Sequence, residues 1–125
     1  MPEYTAKRIS EMEAGFGGGF VKVRAELGAT AFGMQVIQLP PNFTDYPEHD
    51  HAESGQEEVF VALSGSGWID LEGERIELDG ETMARVPANV KRKVYAGPEG
   101  LRMLAVGGTP GKAYEIVPAT ELGAA

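Results

Sequence analysis

From Phe20 onward, short apolar runs alternate with turn residues along the chain. The runs are "FVKVRAEL", "FGMQVIQL", "EEVFVALS", "GWIDLE", "RIEL", "TMARVP", "KRKVYA", "LRMLAV" and "AYEIV". Their β-branched and aromatic content suits pleated, half-buried surfaces. Several alternate apolar with polar positions, as in Phe20, Val21, Lys22, Val23, Arg24, and the links "LPPN", "SGSG", "LEGE", "AGPEG" and "GGTPGK" supply Gly, Pro or Asn. Regularly spaced short strands of this kind predict an all-β sandwich or small barrel. Only one helical turn is expected, where Ser10 and Glu13 have capping-box spacing and Gly15 ends the turn. The run "GFGGGF", Gly15 to Phe20, has no strand before it and no long helix after it. It therefore reads as a flexible connector rather than a phosphate loop. The end, "ATELGAA", reads as a frayed tail.

A chain of 125 residues fits one domain, here with a core over about residues 20–117. Its 42% hydrophobic and 24% charged content is that of a globular protein, and no segment is apolar for long enough to cross a bilayer. The N-terminus carries acidic residues where an export signal needs an apolar core, so a cytoplasmic location is the expectation. With no cysteine, any metal site must use His, Asp, Glu or water. A net charge of −8 argues against nucleic acid as a partner, and no membrane partner is expected. The small basic cluster "VKRKV", Val90 to Val94, reads as a solvated sheet face.

Both histidines of the chain stand in "YPEHDHAESGQEEVF", one residue apart, as His49 and His51. On a strand, such residues share a face with roughly 7 Å between them, close enough to converge on one ion. A third ligand could come from Glu57 or Glu58 once "AESGQ" folds the chain back. Glu58 shares a face with Phe60 and Ala62, the better barrel lining, and coordination would relieve the cost of burying its carboxylate. The competing reading is an exposed acidic loop, since Glu48, Asp50, Glu53, Glu57 and Glu58 surround the pair.

These residues resemble the cupin motifs. His49-Asp50-His51 leads to Glu58, "VFVALS" leads to Gly65, and "GETMARVPANVKR", Gly80 through Pro87 to Arg92, is similar to the second motif. The resemblance covers about Phe32 to Tyr114 and implies a jelly-roll β-barrel with a divalent metal held by His49, His51 and Glu58. The metal could be Fe, Mn, Zn, Ni or Cu. The chain departs from the pattern in its longer His51-to-Glu58 gap. Asn42 lies near where a Gly is usual, and Pro87-Ala88-Asn89 replaces Pro-x-Gly, with Asn89 tolerating a left-handed turn. Arg92 falls where the last metal-binding His is expected, and a guanidinium cannot be a ligand. Two arrangements follow. His49, His51 and Glu58 hold the metal alone while Arg92, as a catalytic residue, clamps a substrate carboxylate or enolate. Alternatively, the metal is lost and the pocket is a metal-free binding module or sensor with an anion site centred on Arg92.

Under the first, the chain is a dioxygenase- or isomerase-type enzyme acting on an anionic, oxygen-rich small molecule. Ser54, Ser64 and Ser66 do not sit in a nucleophile elbow, Trp68 and Tyr95 read as packing, and Met34, Met83 and Met103 read as barrel lining. A homodimer is expected to cover a strand edge, with "FVKVRAEL" as the edge that pairs.

Overall fold

The computed structural model describes residues 3–116, so "ATELGAA" and the end of "AYEIV" lie outside the described residues. Strands β1 (Ala14–Gly15), β2 (Phe20–Val21), β3 (Gly33–Leu39), β4 (Glu57–Leu71), β5 (Glu74–Leu78), β6 (Ala84–Val86) and β7 (Arg92–Gly108) form one sheet. The order is β1-β2-β3-β7-β4-β5, antiparallel throughout, with β6 also paired to β4. This is the expected all-β barrel. Among the described residues no helix is long and apolar enough to cross a membrane.

Strands β4 and β7 pair along almost their whole lengths, from Glu57 opposite Gly108 to Leu71 opposite Arg92. The segments "SGSG" and "AGPEG", expected as links, are instead bends inside these two strands, marked by register shifts between Ala62 and Ser64 and between Gly65 and Gly67. Gly65 has φ +70, and a Cβ there would overlap the Gly100 carbonyl oxygen. Only glycine lets the two strands bend together so closely.

"FVKVRAEL" is not one strand. Only Phe20 and Val21 pair, and the chain then enters α1 (Val23–Leu27). The good helix formers of "RAEL" are stopped by Gly28, at φ +77, where the N–H groups of Gly28 and Ala29 return to carbonyls of Ala25 and Arg24. β2 is paired on both sides, by β1 and β3, so it is not the free edge expected to make a dimer. The early helical turn is a 3-10 turn over Ile9–Glu11 that places Ser10 inside it, with Arg8 before it and no side-chain cap. A second 3-10 turn covers Phe16–Gly18. Residues 113–116 form no strand.

Alternate residues of the long strands face inward. Phe60, Ile69, Val94 and Met103 are fully buried, with Ile37, Leu39, Leu101 and Ala105 beside them. Each large side chain so buried stabilises the fold by about 1.5–3 kcal/mol. A second cluster of Met12, Val21, Val23 and Val36 packs α1 and the N-terminal segment onto the sheet, with Met34 against it. Met103 lines the barrel as expected, but Met83 is 66% exposed. Of the basic cluster, Lys91 is exposed and Lys93 half-buried, whereas Arg92 is fully buried, so the solvated-face reading fails at that residue. Trp68 and Tyr95 stack with centroids 5.2 Å apart, and Arg75 covers the Trp68 ring.

Candidate metal centre

His49 is fixed by backbone. Its N–H donates to the Arg92 carbonyl at 3.1 Å and its carbonyl accepts from the Arg92 N–H at 2.8 Å, a bridge at the start of β7. The His51 N–H donates to the Ala88 carbonyl at 2.8 Å, and the His51 carbonyl accepts from Gly55 N–H at 2.8 Å. That second bond closes "AESGQ" into a compact turn, which returns the chain to β4. The Pro87–Val90 turn closes through Val90 N–H to the Pro87 carbonyl. Asn89 makes this turn without a left-handed backbone, while Asn42 has φ +59.

Glu58 lies on the inner face of β4, opposite Val86 and Gly107. A Cβ at Gly107 would stand 3.2 Å from Glu58 Cγ and 3.0 Å from the Glu57 carbonyl, so glycine makes room for the carboxylate. Glu57 points the other way, to exposed Arg85 at 3.1 Å. One ligand atom from each of His49, His51 and Glu58 lies within 4.8 Å of the others. The imidazoles meet edge to face, with centroids 5.0 Å apart, and His51 Nε2 is 3.0 Å from Glu58 Oε1 but not aligned for a hydrogen bond.

Arg92 is bonded to the same carboxylate. Its Nη1 donates to Glu58 Oε1 at 2.8 Å, and Nη2 donates to the Pro87 and Val90 carbonyls, each at 2.9 Å. Both side chains of the ion pair are fully buried.

Among the described residues this leaves His49 Nε2, His51 Nε2, Glu58 Oε2 and Tyr46 Oη buried without a hydrogen-bond partner. His49 Nδ1 lies 2.8 Å from the Pro47 carbonyl, which can only accept, so Nδ1 carries the proton and Nε2 offers its lone pair inward. Burial holds the His49 pKa below the ordinary histidine value, helped by His51 and Arg92 and opposed by the Pro47 carbonyl and Glu58. Unpartnered buried polar atoms cost about 1–3 kcal/mol each. One cation would satisfy the two nitrogens and the carboxylate oxygen together, and the donor set fits a divalent transition metal.

Burial, reinforced by the Glu58 charge and opposed by Arg92, raises the Tyr46 pKa well above its ordinary value. Tyr46 therefore presents a protonated hydroxyl, and its ring lies 5.7 Å from that of His49. Neither Tyr46 nor Gly107 was singled out from sequence. The only available signal was that Tyr46 stands in the same stretch as the histidines.

A cavity of about 950 Å³ opens onto His49, His51 and Tyr46. Its other walls include Phe16, Phe20, Ile37, Leu39 and Phe43, with Asp45, Asp50 and Glu53 also lining it and, among the described residues, no Lys or Arg.

No family model and no curated protein matches the sequence. Solved structures do match. A cupin protein from Bacteroides fragilis is 23% identical, with 94% of this chain and 93% of that one covered and a TM-score of 0.73. An RmlC-like cupin protein from Desulfovibrio desulfuricans is 16% identical over 82% of this chain and 94% of that one, with a TM-score of 0.60. A sugar phosphate isomerase of the cupin superfamily from Silicibacter pomeroyi is 14% identical over 70% and 57%, with a TM-score of 0.58. The fold is that of a cupin barrel.

Proposed function

We propose that this cupin-fold chain is a metal-dependent enzyme acting on a small molecule that approaches through an anionic oxygen group. The observation that carries the reading is the convergence of His49, His51 and Glu58, one ligand atom of each within 4.8 Å of the others, beside a cavity, with His49 Nε2, His51 Nε2 and Glu58 Oε2 lacking a hydrogen-bond partner among the described residues. Bound there, a divalent ion would supply Lewis-acid chemistry, and redox chemistry if it were iron. The residues divide the remaining work. His49 and His51 hold the ion through nitrogen. Arg92 acts as a positioning residue, because its donation to Oε1, the oxygen 3.0 Å from His51 Nε2, fixes the carboxylate beside the imidazole. Tyr46 keeps its proton and can donate a hydrogen bond to a substrate oxygen. Phe20, Ile37 and Leu39 exclude water.

The two Nη atoms of Arg92 are taken by Glu58 and two carbonyls and the residue does not line the cavity, which argues against an anion site centred on it. Glu58 and Arg92 cancel, so a divalent ion would bring the centre to a net charge of about +2, enough to attract an anionic head. Isomerase- and dioxygenase-type reactions both fit, the first by analogy of fold with the Silicibacter isomerase. Elemental analysis of untagged protein purified without chelator, beside His49→Ala and Glu58→Gln, tests the reading. Near-stoichiometric metal that falls in both variants is expected. Metal absent after reconstitution would refute it.

A further inference from the structure

We infer that Phe16, carried on the "GFGGGF" loop, forms a specificity wall for a ligand with a flat, uncharged apolar body behind its oxygen head; the inference rests on the metal reading above. Phe16 is 76% exposed and has φ +52, a left-handed backbone that bulky residues avoid. Neither feature helps the fold. The conformation is nonetheless held: Gly15 pairs with Phe20, the Gln38 N–H donates to the Gly19 carbonyl at 2.9 Å, and Gln38 Nε2 donates to the Gly18 carbonyl at 2.9 Å. The loop is thus anchored to the barrel rather than a free connector. It presents the Phe16 ring edge-on to Phe20, centroids 6.1 Å apart, and both line the cavity that holds His49 and His51.

Charge and size narrow the occupant. The cavity carries Asp45, Asp50 and Glu53 and no cationic side chain, on a chain of net charge −8. A second anionic group on the ligand would meet only repulsion. The volume of about 950 Å³ is far more than a two-carbon acid fills. The best match is a molecule with one chelating oxygen pair, met by the ion, and a ring-sized apolar body against Phe16, Phe20 and Phe43.

Acetohydroxamate and benzohydroxamate share a two-oxygen head and differ only in a methyl or phenyl body. Titrating each into the cobalt(II)-reconstituted protein, followed by cobalt visible absorption, reads the wall without any turnover. Wild type should bind benzohydroxamate at least roughly tenfold more tightly, from burial of the ring. Phe16→Ala, at an exposed position, should lose most of that preference and leave acetohydroxamate affinity unchanged. If both probes bind wild type equally, or Phe16→Ala keeps the preference, the wall is overturned while the metal reading stands. If cobalt is not taken up, the metal reading fails and the inference with it.

Discussion

Replacing Arg92 with Met should unfold the metal-free protein far more readily than any surface change. The substitution keeps an unbranched apolar stem but removes the cationic donor to Glu58 Oε1, bonded at 2.8 Å, and the donor to the Pro87 and Val90 carbonyls. The carboxylate is left fully buried and uncompensated. Breaking such a pair costs about 3–5 kcal/mol. For a 125-residue domain each kcal/mol moves Tm by about 4 °C, so Arg92→Met should lower Tm by about 12–20 °C in chelator. The double variant Glu58→Leu with Arg92→Met removes both charges and should recover most of that loss, because an apolar pair has no unmet charge. Adding divalent metal should raise Tm more in Arg92→Met than in wild type, since the ion then takes the whole carboxylate. Circular dichroism melts of the two single variants and the double variant measure all of this. A drop under about 4 °C in Arg92→Met, or a double variant equal to the sum of the singles, would refute the coupling.

Three further outcomes follow from individual residues. The folded-state pKa of His49 lies below the unfolded value of 6.5, so the unfolded chain takes up the proton first. Stability of the metal-free protein should therefore be present above pH 6.5 and fall as pH drops through that value, with His49→Gln flattening the profile in urea titrations. Glu57→Gln breaks only an exposed pair with Arg85 and should shift stability by less than about 0.5 kcal/mol with full metal content, in contrast to Glu58→Gln. Gly107→Ala puts a methyl 3.2 Å from Glu58 Cγ and should weaken metal binding roughly 10–100-fold while the far-ultraviolet spectrum is kept.

How far the chain could be read in advance depended on the range of the forces involved. Period-2 geometry along "EEVFVALS" puts Glu58 and Glu57 on opposite faces and favours Glu58, but both faces of the run are apolar, and only the pairing of Glu58 with Val86 and Gly107 decides between them. The bends at Gly65 and Gly67 looked like a turn, since glycine marks both; only the pairing of β4 with β7 across the barrel distinguishes them. In "FVKVRAEL" the pattern of the first five residues predicts a strand, whereas the helix formers of its second half and the stop at Gly28 prevail in the fold. Tyr46 and Gly107 act through neighbours far away in sequence, Glu58 and β4, and local pattern contains nothing about such contacts. The role of Arg92 was half legible: its chemistry forbids ligation, but its burial and its bond to Glu58 are tertiary facts.

By the resemblance to the cupin motif Arg92 stands where a last histidine is expected, and its bond to Glu58 is compatible with a cation at the site. The guanidinium bonds the carboxylate oxygen that lies 3.0 Å from His51 Nε2, so it orients a group whose ligating role it cannot itself take. The exchange alters charge. With His at this position the loaded centre would carry about +1 rather than +2, because Glu58 would no longer be cancelled. Arg92→His should accordingly bind the metal more tightly, through a third imidazole and an unshared carboxylate, yet hold an anionic head such as acetohydroxamate more weakly. Metal affinity by competition with a chromophoric chelator, and probe affinity on the cobalt form, should move in opposite directions. Loss of metal in Arg92→His, or the two affinities rising together, would mean that Arg92 does not set the charge of the centre.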